Sequence, residues 1–88
     1  MAERSVQILN KNGLHARPAA EIVKLLAKFQ SDVIILRDGT EVNGKSIMGV
    51  MMLAAECGST LIIRAEGSDA AAALDALADL IQRKFGER

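Results

Sequence analysis

The order in which apolar patterns follow one another constrains the fold of this chain more than any other feature of its sequence. Alternating or β-branched segments predict four strands, and segments with apolar residues at helical spacing predict three helices. In chain order the predicted elements are strand 5–9, helix 16–29, strand 32–37, strand 40–42, helix 47–54, strand 60–66 and a helix capped by Ser68 or Asp69 that runs to about Phe85. A four-stranded, mostly antiparallel sheet with three helices on one face satisfies this β-α-β-β-α-β-α order. We therefore expect an α+β open-faced sandwich, and 88 residues fit a single domain over 1–88.

Apolar stripes identify the helical side chains that should pack against the sheet. The expected core residues are Ala19, Ile22, Val23, Leu26 and Phe29 in the first helix and Leu74, Leu77, Ile81 and Phe85 in the last. The dipeptide Asp38-Gly39 is typical of a tight hairpin turn between two strands. Gly58 is expected to close the middle helix.

The short middle helix is apolar on more than one side. Three of its residues are expected to face the core, namely Val50, Leu53 and Ala54. That orientation places Ile47, Met48 and Met51 on another side of the helix, where they could form a docking surface for other proteins. The alternative is that the whole helix is buried and the methionines only fill the core.

Charge and composition exclude several classes of function. Eleven Lys and Arg balance 11 Asp and Glu, so the formal net charge is zero, which argues against electrostatic capture of nucleic acid or of an anionic membrane. The chain has no Trp, no Tyr and two Phe, so it offers no aromatic platform for stacking bases. The first residues lack the apolar run of a signal peptide, and no apolar stretch approaches the length of a membrane span. We therefore expect a cytoplasmic protein.

A single cysteine, Cys57, limits the covalent and metal chemistry of the chain. One thiol cannot form an internal disulfide, and its isolation suggests no metal cluster. We expect Cys57 to be a small, buried or half-buried hydrophobic side chain.

Residues 12–20, Asn-Gly-Leu-His-Ala-Arg-Pro-Ala-Ala, carry the strongest functional signal. His15, the only histidine, stands where a helix usually has Ser, Thr, Asp or Asn as its cap. The first turn then contains the cation Arg17 instead of an acidic residue, and Arg17 precedes a proline, which disfavours helical dihedral angles for it. Several local rules broken together are expected where function overrides folding.

Phosphoryl binding is the chemistry that suits this segment. A helix start offers unpaired amides and a partial positive charge, and the guanidinium of Arg17 suits phosphate oxygens. Nδ1 of His15 lies two bonds from Cβ and is therefore the ring nitrogen nearest those amides. The alternatives are that His15 is an unusual cap, that Arg17 is a solvated residue paired with Glu21, and that Pro18 is an ordinary first-turn proline.

Two motifs resemble one known family. The segment 13–19, Gly-Leu-His-Ala-Arg-Pro-Ala, resembles the active-site motif of HPr, the histidine-containing phosphocarrier of bacterial phosphotransferase systems. The segment 44–51, Gly-Lys-Ser-Ile-Met-Gly-Val-Met, is similar to that family's regulatory-serine region. The length and the element order also match, so the resemblance covers essentially the whole chain.

The resemblance implies a carrier instead of an enzyme, with no cofactor and no metal. His15 would accept a phosphoryl group on Nδ1 from Enzyme I and donate it to enzyme IIA domains in phosphoenolpyruvate-dependent sugar uptake. The phosphoryl group would be held at Ala16, Arg17 and Pro18, and Ser46 would be modified by HPr kinase/phosphorylase in a host that has that enzyme. The implied docking residues are Leu14, Ala20, Ile47, Met48 and Met51. We expect a monomer that neither binds nucleic acid nor inserts into a membrane.

Several readings stay open on the sequence. The carrier could serve sugar uptake or a nitrogen-type regulatory branch, and Ser46 could be only an ordinary N-cap. A small ligand-binding regulatory domain of similar topology would need a polar cluster at the sheet edge, which the sequence does not offer. A small acyl phosphatase would need a side chain that positions water near Arg17, and within 12–20 only Asn12 could serve.

Overall fold

The computed structural model describes residues 2–86. The strands and helices are β1 (Ala2–Gln7), α1 (Ala16–Leu26), β2 (Asp32–Arg37), β3 (Thr40–Asn43), α2 (Ile47–Met52), β4 (Thr60–Glu66) and α3 (Ala70–Gln82), followed by a 3-10 turn (Lys84–Gly86). The strands form one sheet in the order β1-β4-β2-β3, and every neighbouring pair is antiparallel. The predicted α+β open-faced sandwich is confirmed.

The core lies between one face of the sheet and the helices. On the sheet, Ile35 is opposite Ile63 of β4 and Val42 of β3, and buried residues alternate along the two central strands, β2 and β4. The helices cover this face with the stripes predicted from their spacing. The buried members of those stripes are Ala19, Ile22 and Leu26 of α1 and Leu74, Leu77 and Ile81 of α3, with Phe85 just beyond. Val23 and Phe29, which were also predicted for the core, are only half-buried.

Element ends were predicted less well than element types. The strands 32–37 and 60–66 have the predicted bounds, whereas the strand predicted over 5–9 is β1 at Ala2–Gln7. Asp38 and Gly39 both have positive φ, at 49° and 83°, as the predicted tight hairpin turn requires. The first helix ends at Leu26, and the amides of Lys28 and Phe29 bond three residues back, so the chain tightens into a 3-10-like turn.

The middle and last helices also stop earlier than predicted. α2 ends at Met52, and Ala54, predicted to face the core, is exposed with a left-handed φ of 49°. Gly58 therefore does not close the helix; it lies in the turn before β4 with a φ of 92°. α3 ends at Gln82, yet Phe85 stays buried because the 3-10 turn folds its side chain back onto the core.

A polar latch ties the start of α3 to the loop between α1 and β2. Asp69 is the N-cap residue of α3, but its carboxylate accepts hydrogen bonds from the backbone amides of Gln30 and Ser31, both at 2.9 Å, and from the Ser31 hydroxyl. Hydrogen bonding from the Ser31 hydroxyl, followed by the Gln30 amide, lowers the pKa of Asp69. A Cβ at Gly67 would lie 2.6 Å from the Ser31 hydroxyl, so this close approach requires glycine.

Candidate functional site

His15 is exposed at the start of α1, where the chain passes from a loop into the helix. Its backbone is extended, with φ −88° and ψ −172°, and its carbonyl accepts the first helical hydrogen bond, from Ala19 N at 3.0 Å. Helix geometry provides no acceptor for the amides of Ala16 and Arg17. Within residues 2–86 the imidazole of His15 does not cap those amides. The helix therefore presents its positive end and these amides beside the ring.

Arg17 lies on the exposed side of this helix start. It is helical although it precedes a proline. Within residues 2–86 it forms no ion pair with Glu21, the partner expected if Arg17 were only a solvated helix residue. Its side chain is exposed, in the first turn that follows His15. Pro18 is buried in the core and has no N–H, so it can fix the backbone of the first turn but cannot donate a hydrogen bond to phosphate.

The residues before His15 are locked against the segment that follows α2. The amide of Leu14 donates to the carbonyl of Ala55 at 2.8 Å, and a Cβ at Gly13 would lie only 2.3 Å from the same oxygen. Gly13 also has a φ of 66°, which glycine adopts without strain. Leu14 is only 5% exposed because its side chain packs into the core, and its docking role stays a prediction.

A second set of contacts joins the chain just after β1 to the turn that precedes β4. Ile8 N donates to Ser59 O at 2.8 Å, and Gly58 N donates to Ile8 O at 2.7 Å, so the chain continues to pair beyond the end of β1. Cys57 is exposed, with its sulfur 3.7 Å from Leu9 O, and the prediction of a buried or half-buried thiol is wrong. The thiol stands outside the core because its segment forms a surface turn.

Asn10 is a functional candidate that the sequence reasoning assigned only to a loop. It is fully buried, and its Nδ2 donates to the carbonyl of Gly13 at 2.7 Å. A loop asparagine is usually exposed, so composition gives no sign of this burial. The available signal was the position of Asn10, three residues before the glycine that leads into His15.

Exposed apolar side chains cover the outer side of α2. This methionine patch consists of Ile47 at 43%, Met48 at 72%, Met51 at 39% and Met52 at 73% exposure. Val50 and Leu53 are buried as predicted, so the alternative of a wholly buried helix is wrong. Met52 was not predicted as part of the surface.

The methionine patch lies beside the His15 loop. α2 packs against α1, and Ala55, three residues after Met52, accepts the hydrogen bond from Leu14 N. Ala20 is half-buried on α1. An exposed apolar surface of this kind next to a reactive side chain is typical of a site that a protein partner covers.

Ser46 caps α2 as predicted. Its Oγ accepts a hydrogen bond from Gly49 N at 3.1 Å, and its side chain is half-buried. The amide of Lys45 donates to the Asn43 side-chain oxygen at 2.8 Å and shapes the turn that leads to the cap. Among residues 2–86, no group of three or more His, Cys, Asp or Glu side chains could hold a metal ion. In the same range no helix combines the length and apolar character needed to cross a membrane.

Comparison with known proteins agrees with this geometry. The family profile PTS-HPr, described as the PTS HPr component phosphorylation site, matches residues 2–83. The phosphocarrier protein HPr of Treponema pallidum is 51% identical over 87 residues, which are 99% of this chain and 99% of that protein. The crystal structure of HPr-C-His from Thermoanaerobacter tengcongensis has a TM-score of 0.96 and 48% identity, covering 100% of this chain and 99% of that one. An HPr dimer from the same organism has a TM-score of 0.79 and 48% identity, covering 99% and 100%.

The open-faced sandwich, the exposed His15 at the start of its first helix and these matches together identify a phosphocarrier protein. The chain belongs to the HPr family of the phosphotransferase system, as its two motifs predicted.

Proposed function

We propose that His15 accepts a phosphoryl group from phosphorylated Enzyme I and passes it to enzyme IIA domains in phosphoenolpyruvate-dependent sugar uptake. The observation that carries this proposal is the exposed imidazole beside the amides of Ala16 and Arg17 at the uncapped start of α1. A developing phosphoryl charge would meet the positive end of the helix there, without an enclosed cavity. The chemistry would then take place at the interface with each partner.

The transfer balances without any further reactant. The lone pair of His15 Nδ1 forms a P–N bond while the bond between phosphorus and the donor breaks, and that electron pair stays with the donor. The Nε2 proton remains on the ring throughout. Donation to the acceptor runs the same step in reverse, with Arg17 holding the phosphoryl oxygens in both directions. Pro18 contributes by holding the first turn in place instead of by donating a hydrogen bond.

The methionine patch is the surface that we assign to partner docking. Burial of exposed methionine and isoleucine side chains releases water, and flexible methionine side chains can adapt to partners of different shape. Ala20 adds a small surface on α1. Because a single copy of the chain carries both His15 and Arg17, we also propose that the carrier works as a monomer, although a relative has been crystallised as a dimer. Size-exclusion chromatography with light scattering at working concentration tests the monomer.

We propose that Ser46 is a regulatory site in a host that has HPr kinase/phosphorylase. Its Oγ stands at the start of α2, where the amide of Gly49 would still face the modified oxygen. A phosphoryl group there would add negative charge next to Ile47 and Met48 of the docking surface. Association with an acidic partner would weaken, while the helix start would tolerate the charge.

Incubation with Enzyme I and phosphoenolpyruvate tests the proposed function directly. The wild type should gain one acid-labile phosphoryl group, and His15→Ala should gain none while it stays folded, because the imidazole is exposed and, within the described residues, makes no capping bond to α1. Ser46→Ala is the matched control, because it also alters a helix cap but should accept the phosphoryl group normally. Acid-labile phosphate on the His15→Ala protein would contradict the proposal.

A further inference from the structure

A buried amide side chain lies under the loop that carries His15. Asn10 has 0% exposure, and its Nδ2 donates to the carbonyl of Gly13 at 2.7 Å. The amide of Gly13 donates back to the carbonyl of Asn10 at 3.2 Å, so the two residues close a turn over Lys11 and Asn12. A buried amide is costly unless it is hydrogen-bonded, so this placement holds the turn in one conformation.

The turn is connected to His15 through a single carbonyl. Gly13 O also accepts a hydrogen bond from His15 N, at 3.1 Å. Two donors, one from Asn10 and one from the His15 backbone, therefore converge on the same oxygen. The peptide that links Gly13 to Leu14 cannot rotate without breaking one of them.

The peptide between Gly13 and Leu14 is held by contacts on two sides, and the contact from Asn10 is made by a side chain. Leu14 N is bound to Ala55 O at 2.8 Å, and Gly13 is packed against that same oxygen. These contacts hold the loop from the α2 side, whereas Asn10 holds it from the β1 side. Lys11 and Asn12, between them, are exposed.

We infer that Asn10 is a positioning residue for phosphoryl transfer: its buried amide fixes the Gly13 carbonyl and, through it, the orientation of His15 relative to the amides of Ala16 and Arg17. This inference rests on the proposed function of His15. In this inference Asn10 acts through the backbone of Gly13. A misplacement of about 1 Å at a reacting group can slow a reaction by about 100-fold.

The test measures kcat and the Michaelis constant for phosphorylation of the carrier by Enzyme I. These two constants distinguish a role of Asn10 in positioning His15 from a role in stability alone. Asn10→Ala should lower kcat by about 10-fold or more, because the ring loses its fixed orientation. The Michaelis constant should change by less than about twofold, because the methionine patch on α2 is untouched. Asn10→Ser keeps a shorter hydrogen-bond donor and should fall between the wild type and Asn10→Ala.

Ser31→Ala is the matched control. It also removes a buried polar side chain and its hydrogen bond, to Asp69, but at the opposite end of α1 from His15. It should lower stability without lowering kcat. All rates are measured well below the unfolding temperature of each variant, and Asn10→Ser carries the test if Asn10→Ala does not fold.

The outcomes distinguish this inference from the proposed function. If the wild type accepts the phosphoryl group but both Asn10 variants keep its kcat, or change only the Michaelis constant, the positioning role is wrong and the carrier function stands. An equal loss of kcat in Ser31→Ala would likewise overturn it, by showing that kcat follows stability alone. If the wild type itself accepts no phosphoryl group, the proposed function and the inference both fall.

Discussion

At the start of α2 the Ser46 hydroxyl accepts a hydrogen bond from the amide of Gly49, whereas at the start of α1 the imidazole of His15 caps no amide within the described residues. Both residues stand at the same position of a helix, with an extended backbone. A good cap stabilises a helix by about 1 kcal/mol, so α1 forgoes stability that α2 gains. This difference is what the proposed function requires, because His15 then serves phosphoryl transfer while Ser46 serves the stability of its helix.

The largest effect in this comparison should come from Arg17. Arg17→Ala removes the guanidinium beside the open amides, and we expect phosphoryl transfer to slow by about 100-fold in both directions. The Michaelis constant with Enzyme I should change far less, because the charge acts on the moving phosphoryl group. Lys24→Ala, also an exposed cation of α1, is the control for a general loss of charge. Transfer at the wild-type rate without Arg17 would return it to the role of a solvated helix residue.

A charge in the methionine patch should have the next largest effect. Met48→Lys should raise the Michaelis constant with Enzyme I about tenfold, the equivalent of 1.4 kcal/mol, because a partner must then bury an ammonium group. The melting temperature should stay within about 2 °C, since Met48 is 72% exposed. Ala71→Lys, at an exposed position on α3, provides the control. A large loss of stability in Met48→Lys would instead favour a packing role.

Substitutions at Ser46 should separate capping from regulation. Ser46→Ala should lower the free energy of unfolding by about 1 kcal/mol, because the amide of Gly49 loses its acceptor, and should leave phosphoryl acceptance unchanged. Ser46→Asp keeps a good cap but adds charge, so stability should be retained while the Michaelis constant with Enzyme I rises several-fold. Unfolding by denaturant and steady-state transfer assays measure the two effects. An unchanged Michaelis constant for Ser46→Asp would remove the electrostatic basis for regulation at this site.

The third helix start gives the smallest effect, and it depends on pH. Hydrogen bonds from the Ser31 hydroxyl and the Gln30 amide lower the pKa of Asp69 from its ordinary value of 3.8. A carboxylate with a lowered pKa in the folded state contributes stability above the unfolded value, and this contribution is lost as the pH falls through the folded value. As the pH falls below the ordinary value of 3.8, the wild type should therefore lose more stability than Asp69→Asn. Denaturant titrations at each pH measure the free energy of unfolding of both proteins. If it falls equally with pH in the two, protonation of Asp69 does not affect stability.

The elements that were predicted well are those whose apolar residues recur at the spacing of a helix or a strand. β2 and β4 have their predicted bounds because β-branched residues fill them, and the exposed side of α2 follows from helical periodicity. The end of α2 was missed because the left-handed residue after it is Ala54, and only a glycine or asparagine there would have been a signal. The α+β fold could be predicted because several independent segments agreed on it.

Within the site, His15 and Arg17 were found because they break the usual residue preferences at a helix start. The packing of the loop before them could not be predicted. Leu14 lies before the helix, where periodicity says nothing about burial, and its side chain is buried in a loop that bonds to Ala55. The burial of Asn10 likewise depends on how two distant segments pack, at 8–14 and 55–59. Such contacts are tertiary, so no local pattern contains them.

The identity of the phosphorylated atom tests the central claim most directly. The protein would be labelled with ¹⁵N in its single histidine, phosphorylated with Enzyme I and phosphoenolpyruvate, and examined by NMR for coupling between phosphorus and the ring nitrogens. We predict one phosphoryl group, bonded to Nδ1 of His15, because Nδ1 is two bonds from Cβ and is the ring nitrogen that we expect nearest to the first amides of α1. A phosphoryl group on Nε2, or on any residue other than His15, would contradict the account.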